Sequence, residues 1–146
     1  MTSVDVTVET EIAAEPSDVA AVLFDPAREP EWTSTGATVE IIDRALAPGA
    51  RVRRTASLLG QEIVWTTEVE SFYFPHALTV RIVEGPFTGS VSYEIQRAPG
   101  RGSRAGIHIR GETDKLGFLP PAMIEAALRK ALVADLERLK AIVEKR

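Results

Sequence analysis

Apolar and polar residues alternate with period two along most of the chain. The first such stretch runs from Val4 to Ile12. The later stretches cover residues 37–43, 50–59, 62–72, 77–84, 87–97 and 104–114. Strict alternation is typical of strands that bury one face. The pattern therefore predicts about seven strands, of which the last six follow one another as antiparallel hairpins.

Three stretches break this alternation with features of helices. Pro16 opens a short helix at a position where the missing N–H of proline costs nothing. Asp25-Pro26 supplies an N-cap and a first helical residue for a second short helix, which ends near Trp32. Pro121 begins a long helix that continues to about Glu144 without an internal Gly or Pro. The predicted order is one strand, two short helices, six strands and one long helix.

The hairpin at Gly60-Gln61 predicts where the arginine-rich strand places its charges. A two-residue turn at that position pairs Arg53 with Glu68 and Arg51 with Glu70 on the outer face. It also places Trp65 opposite Ala56 on the inner face. The arginine cluster is therefore interpreted as a solvated ladder of charge pairs and not as a phosphate site.

The later hairpins turn at Gly85-Pro86 and at residues 99–102. Their predicted inward pairs are Val80–Val91, Leu78–Tyr93, Val91–Ile109 and Tyr93–Ile107. The complete inner face predicted for the sheet is Val52, Arg54, Ala56, Leu58, Ile63, Trp65, Thr67, Val69, Leu78, Val80, Ile82, Val91, Tyr93, Ile95, Ile107 and Ile109.

The long helix has to cover this face. At 100° per residue, its apolar side comprises Ile124, Leu128, Ala131, Leu132, Leu139, Ile142 and Val143. Asp135 lies in the middle of this apolar stripe. Because small alanines predominate in the first half of the helix, a gap between helix and sheet is predicted there.

Composition limits the classes of protein that the chain can belong to. Its 146 residues form one domain, residues 1–146. A net charge of −4 with both signs dispersed argues against a nucleic-acid surface. Cysteine is absent, which excludes disulfides and thiolate chemistry. With no signal peptide and no apolar run long enough to span a membrane, we expect a cytoplasmic monomer or homodimer.

Few side chains suggest metal or nucleophilic chemistry. The only histidines are His76, in a loop, and His108, which has outward parity on its strand. No spaced set of carboxylates accompanies them, and no serine lies in a nucleophile elbow. The sequence therefore predicts neither a metal site nor a cofactor.

Four polar side chains have inward parity, namely Arg54, Thr67, Tyr93 and Asp135. An isolated buried charge is costly, so Arg54 and Asp135 need a partner or a wet environment. One interpretation is a structural pair or a solvated peripheral position. The other is that they orient the carbonyl or hydroxyl group of a ligand, while Trp65, Tyr93 and aliphatic residues hold its apolar body.

The order and spacing of several short motifs resemble the START/polyketide-cyclase superfamily, also called the SRPBCC or Bet v 1-like group. The resembling segments are Ile12–Val19, Asp25-Pro26, Pro30–Trp32, Pro48–Val52, Val69–Phe72 and Leu136–Lys140. The resemblance covers essentially the whole chain. It implies an α+β helix-grip fold, in which a curved antiparallel sheet of about seven strands surrounds the C-terminal helix and leaves an apolar cavity.

Trp32 lies in the polar stretch DPAREPEWTSTG. In proteins of the resembling group, two short helices form a V that closes one end of the grip. We therefore interpret the Trp32 ring as an anchor that fixes this helix pair to the core. Direct contact with a ligand is the alternative.

The leading functional hypothesis is a binding protein for a small hydrophobic ligand that is lipid-, polyketide- or aromatic-like. The predicted ligand-binding residues are Arg54, Trp65, Thr67, Tyr93, Ile109, Met123 and Ala127. Phe118, Leu119 and Met123 are further candidates for a lid, although ordinary loop packing explains them as well.

Two other classes of function remain open. The first is a cyclase- or dehydratase-like enzyme, in which Arg54 or Tyr93 polarises a carbonyl and Asp135 moves a proton. The second is a protein-interaction module of the chaperone-activator kind.

Overall fold

A computed structural model of the protein describes residues 2–33, 38–43, 46–58, 60–113 and 120–145. The sheet contains β1 (Thr2–Ile12), β2 (Thr38–Ile41), β3 (Arg51–Leu58), β4 (Gln61–Tyr73), β5 (Ala77–Glu84), β6 (Phe87–Arg97) and β7 (Ser103–Thr113). The helices are α1 (Pro16–Leu23), α2 (Glu29–Trp32) and α3 (Pro121–Glu144), with a 3₁₀ turn at Pro26–Arg28 before α2. The predicted element order is confirmed.

All seven strands form one antiparallel sheet in the order β1-β7-β6-β5-β4-β3-β2. Its curvature has two local causes. Strand β4 shifts register against β5 at Thr66/Thr67 and again at Val69/Ser71, and such bulges bend a sheet. Gly89 also faces Gly111 across β6 and β7, where a side chain on either residue would collide with the opposite backbone. The sheet can therefore wrap around α3, as the helix-grip fold requires.

The exposed edge of β1 is covered by side chains from α3. The Glu125 carboxylate accepts a hydrogen bond from the Asp5 backbone N–H at 2.8 Å. Lys140 Nζ donates to the Glu11 carbonyl at 2.9 Å, and the Glu144 carboxylate accepts from the Ala13 N–H at 2.8 Å. These bonds satisfy polar groups that an edge strand would otherwise leave unpaired.

The predicted register of the β3–β4 hairpin is wrong by two residues. Arg51 lies opposite Glu68, and Arg53 lies opposite Thr66. Leu58 pairs with Gln61, so the turn lies between these two residues. Gly60 in this turn has a positive φ of 81°, a conformation that glycine adopts without steric cost. A shift of two residues preserves which face each side chain occupies.

Two consequences follow from this corrected register. Trp65 lies opposite Arg54, and Ala56 lies opposite Ile63, instead of the predicted Trp65–Ala56 pair. The outer arginines nevertheless form charge pairs, Arg51 with Glu68 at 3.6 Å and Arg53 with Glu40 at 3.1 Å. The two outer arginines form a solvated ladder of charge pairs, as predicted, with different partners.

The four inward pairs predicted for the later hairpins are confirmed. Most of the predicted inner face is buried, including Val52, Ala56, Ile63, Val69, Leu78, Val80, Ile95 and Ile107. Its half-buried members are Trp65, Ile82, Val91, Tyr93 and Ile109. The side chain of Leu58 lies outside what the structure describes. Inward-facing residues that keep exposed area indicate unfilled space between the sheet and α3.

Candidate functional site

A cavity of about 230 Å³ lies between the curved sheet and α3. Its walls are mainly aliphatic and aromatic side chains from β3 to β7 and from α3, with further residues from β1 and α2. The wall residues on α3 are Ile124, Leu128, Ala131, Leu132 and Asp135. Apolar cavities of about 150 Å³ bind benzene, so this one has room for a larger molecule.

A buried ion pair forms part of the cavity wall. Arg54 on β3 binds Glu29 on α2 in bidentate fashion, with Nε–Oε2 and Nη2–Oε1 distances of 2.8 and 2.7 Å. Arg54 Nη1 also donates a hydrogen bond to Thr67 Oγ1 on β4. Both charged side chains are less than one-tenth exposed. Such a geometry compensates for the desolvation of both charges and fixes the guanidinium in the wall.

Tyr93 on β6 lines the same cavity. Burial raises the pKa of Tyr93 well above its ordinary value, and the nearby Glu29 raises it further. Arg54 lowers the Tyr93 pKa by a smaller amount, and Asp135 raises it slightly. The phenol therefore stays protonated at neutral pH and can act as a hydrogen-bond donor.

Asp135 is a buried carboxylate on the face of α3 that lines the cavity. Arg138, one turn further along the helix and half exposed, lies with its Nη1 3.4 Å from Asp135 Oδ1. Arg54 and Asp135 therefore have different ion-pair partners, Glu29 and Arg138. The structural pair that would join them to each other is not formed, and both line the cavity.

Trp32 on α2 is buried in the core with only 3% of its surface exposed, as the anchor interpretation predicts. It also belongs to the cavity wall, so anchoring and ligand contact are compatible roles. Its indole Nε1–H is the one buried side-chain polar atom that lacks a hydrogen-bond partner across the described residues. A buried donor without an acceptor is unfavourable by about 1–3 kcal/mol.

Of the seven residues predicted to bind a ligand, five line the cavity, namely Arg54, Trp65, Thr67, Tyr93 and Ile109. Met123 is 55% exposed, and neither it nor Ala127 belongs to the described cavity wall. The stripe of α3 in the cavity wall runs through Ile124, Leu128 and Ala131, and Met123 and Ala127 flank it, so their part in ligand binding stays a prediction. Phe118 and Leu119, the other lid candidates, lie outside the described residues.

Glu29 is a wall residue that was not predicted from the sequence. This residue precedes Trp32 by three positions, so both lie on the same side of the short helix α2. A buried Trp32 together with an inward Arg54 was the available signal for a buried acidic partner. Phe87, whose ring meets Trp65 edge to face at 6.3 Å, is a second wall residue that was not predicted.

Neither histidine lies in the cavity wall. His76 Nδ1 is 3.0 Å from the Ile95 carbonyl, and His108 Nε2 is 2.6 Å from the Asp5 carboxylate. Among the described residues no three His, Cys, Asp or Glu side chains form a group that could hold a metal ion. No described helix is both long and apolar enough to cross a membrane.

The sequence profile of a family described as polyketide cyclase / dehydrase and lipid transport matches residues 3–144. No curated protein matches the chain.

Several solved structures share the fold over nearly the whole chain. A protein from Thermus thermophilus superposes with a TM-score of 0.82 at 20% identity, covering 95% of this chain and 96% of that one. A START superfamily protein from Mycobacterium smegmatis gives 0.81 at 17% identity, covering 97% of each chain. The Zhui aromatase/cyclase from Streptomyces sp. R1128 gives 0.77 at 20% identity, covering 99% of this chain and 95% of that one. These similarities establish the START-like helix-grip fold.

Proposed function

The chain belongs to the polyketide cyclase/dehydrase and lipid transport family, and we propose that it binds a small hydrophobic molecule between its sheet and α3. The observation that carries this proposal is the cavity of about 230 Å³ with mostly apolar walls and a few converging polar groups. Close-packed cores rarely leave voids much larger than a water molecule. An apolar cavity with few polar groups is the usual form of a small-molecule site.

A cavity-filling substitution tests this proposal. Ala131 lies in the cavity wall, whereas Ala126 lies on the exposed side of the same helix. Ala131→Leu should reduce the affinity for an apolar fluorescent probe at least tenfold, while Ala126→Leu should leave it unchanged. Both variants should keep the wild-type circular dichroism spectrum.

The ligand-binding proposal fails if the wild-type protein binds no apolar probe. It also fails if Ala131→Leu, still folded, binds the probe as tightly as Ala126→Leu does. Native mass spectrometry of the purified wild-type protein adds a search for a co-purified ligand, whose mass would identify its chemical class.

A cyclase- or dehydratase-like reaction is the second candidate function. The observation that favours it is that Arg54, Tyr93 and Asp135 line the same cavity. A protonated Tyr93 could donate to a substrate carbonyl, and the Asp135 carboxylate could accept a proton. Catalysis would be supported if the protein dehydrates a β-hydroxy ketone that fits the cavity and the Asp135→Asn variant does not. Tight binding of the same ketone without turnover would favour simple binding.

The protein-interaction hypothesis is the weakest of the three. It would gain support if α3 packed flat against Trp65 and left no space. Trp65 instead borders the cavity and contacts Phe87 edge to face.

A further inference from the structure

We infer that the cavity selects an uncharged ligand that carries a carbonyl-type oxygen, and that it discriminates against carboxylates. This inference rests on the proposed ligand-binding function and specifies the chemical class of the ligand. It follows from the charges and hydrogen-bond donors that line the cavity.

The cavity wall carries charges of both signs. Two arginines, Arg54 and Arg110, and three carboxylates, Glu29, Glu112 and Asp135, line the cavity, which gives a formal excess of one negative charge. Arg110 is largely exposed, so Arg54 is the buried cation. Two buried carboxylates, Glu29 and Asp135, accompany it, and Arg138, which is not among the wall residues, lies 3.4 Å from Asp135.

The charge of Arg54 is already compensated within the protein. Glu29 binds the guanidinium through both carboxylate oxygens, at 2.8 and 2.7 Å. A ligand carboxylate would therefore be an additional anion near Glu29 and Asp135, in surroundings where charges are poorly screened. Burial of a charge without its own counter-ion is strongly unfavourable.

Several hydrogen-bond donors of the wall residues are left for an uncharged oxygen atom. A guanidinium has five N–H groups, and Arg54 uses three of them in its hydrogen bonds to described residues. The Trp32 indole N–H has no acceptor in the described part of the chain. Tyr93 adds a protonated hydroxyl to the same wall. The polar part of the wall thus offers donors without offering net positive charge, which suits a ketone, ester or quinone oxygen.

Paired ligands with a common skeleton test this inference. Methyl 2-naphthoate and 2-naphthoate share their two-ring body and differ in charge, as do methyl decanoate and decanoate for an acyl chain. Their dissociation constants are measured at pH 7.5 by displacement of an apolar fluorescent probe. In at least one pair the ester should bind at least tenfold more tightly than the acid.

Charge-removing variants locate the cause of the discrimination. Asp135→Asn and Glu29→Gln should each raise the affinity for the acid relative to the ester at least fivefold. Glu137→Gln, on the exposed side of α3, removes one carboxylate remote from the cavity and should leave the ratio unchanged. Asp135→Asn alone suffices if Glu29→Gln, which breaks a buried ion pair, does not fold.

The outcomes separate this inference from the function on which it rests. Acids that bind as tightly as their esters, or more tightly, overturn the selection for uncharged ligands and leave the binding function intact. An unchanged ratio in Asp135→Asn and in folded Glu29→Gln overturns the electrostatic explanation. If the wild-type protein binds no probe and no ester, the binding function itself fails, and this inference fails with it.

Discussion

At the scale of single residues, the chain places polar groups in its core where most proteins place only apolar ones. The bidentate Glu29–Arg54 pair and the protonated Tyr93 all border one cavity. The burial of polar groups is unfavourable unless they form hydrogen bonds or ion pairs. The ring of Trp32 packs in the core. Its indole N–H is buried with it and lacks a hydrogen-bond partner among the described residues.

Trp32 provides the first prediction. Trp32→Ala should lower the free energy of unfolding by roughly 3–5 kcal/mol, because it removes a buried ring and leaves a void between α2 and the core. Trp32→Phe should lower it less, since it keeps an aromatic ring and removes an indole N–H that has no acceptor among the described residues. Urea unfolding measures both. A Trp32→Ala variant within about 1 kcal/mol of the wild type, on the scale of ordinary surface changes, would contradict the anchor role.

Tyr93 provides a prediction about alkaline pH. Its pKa is raised in the folded protein, whereas in the unfolded chain a tyrosine ionises near about pH 10. The contribution of the neutral phenol to stability is therefore complete below about pH 10 and is lost as the pH rises further, because ionisation then favours the unfolded state.

The alkaline loss of stability should consequently be smaller in Tyr93→Phe than in the wild type. Urea unfolding at several pH values between about 9 and 11 measures this difference. Tyr73→Phe, which changes a tyrosine that is 70% exposed, serves as the matched control and should keep the wild-type pH dependence. Identical pH profiles for Tyr93→Phe and the wild type would contradict the prediction.

At the scale of elements, period-two alternation was sufficient to predict the strands, the hairpin succession of the last six and their inner face, but not the pairing of β1 with β7. The β5–β6 and β6–β7 registers followed from turns with clear Gly and Pro signals. The β3–β4 register did not, because Leu59-Gly60 and Gly60-Gln61 are both acceptable two-residue turns and preserve the same inner face. Parity determines which face a residue occupies, whereas turn geometry determines its partner.

The curvature of the sheet leads to a prediction for Gly89. Its φ is +134°, and a Cβ at this position would lie 2.0 Å from the Arg110 carbonyl oxygen. Gly89→Ala should therefore cost about 3 kcal/mol or more, from backbone strain and from separation of β6 and β7.

Gly100→Ala is the matched control for this substitution. Gly100 also has a positive φ of +81°, but a Cβ there would meet nothing within 4 Å. Gly100→Ala should therefore lower stability only by the cost of a left-handed backbone conformation at alanine, about 1–2 kcal/mol. Thermal unfolding compares the two variants. Equal losses of stability would show that the close approach of β6 and β7 does not constrain the sheet.

At the scale of the whole molecule, the gap between the sheet and α3 could be predicted from the sequence, but not every residue of the cavity wall. Alternation and the 100° helical repeat brought Arg54, Tyr93 and Asp135 to the same space. The same patterns do not determine whether Met123 and Ala127 face the cavity, because a small rotation of α3 decides which residues beside its inward stripe do so. Glu29 was missed because its partner lies on a distant strand, and only the packing of α2 against the sheet brings the two together.

The buried Glu29–Arg54 pair gives the last prediction, which concerns why the molecule retains it. Removal of one partner leaves an uncompensated buried charge, so Glu29→Leu and Arg54→Met should each lower stability by about 3–5 kcal/mol. The double variant replaces both charges by apolar groups. It should therefore regain most of that loss, and can even exceed the wild type by about 1–4 kcal/mol.

Binding and stability should then separate in the double variant. With the guanidinium donors gone, its affinity for methyl 2-naphthoate should fall at least tenfold even where its unfolding free energy equals that of the wild type. Urea unfolding and probe displacement on the same preparations measure the two quantities.

A double variant that keeps full ester affinity would show that Arg54 does not contact the ligand. One that loses the sum of both single losses would show that the pair is needed to hold α2 on the sheet. A stable double variant with weakened binding would mean that this ion pair is retained for ligand recognition, at a site where an apolar core would fold equally well.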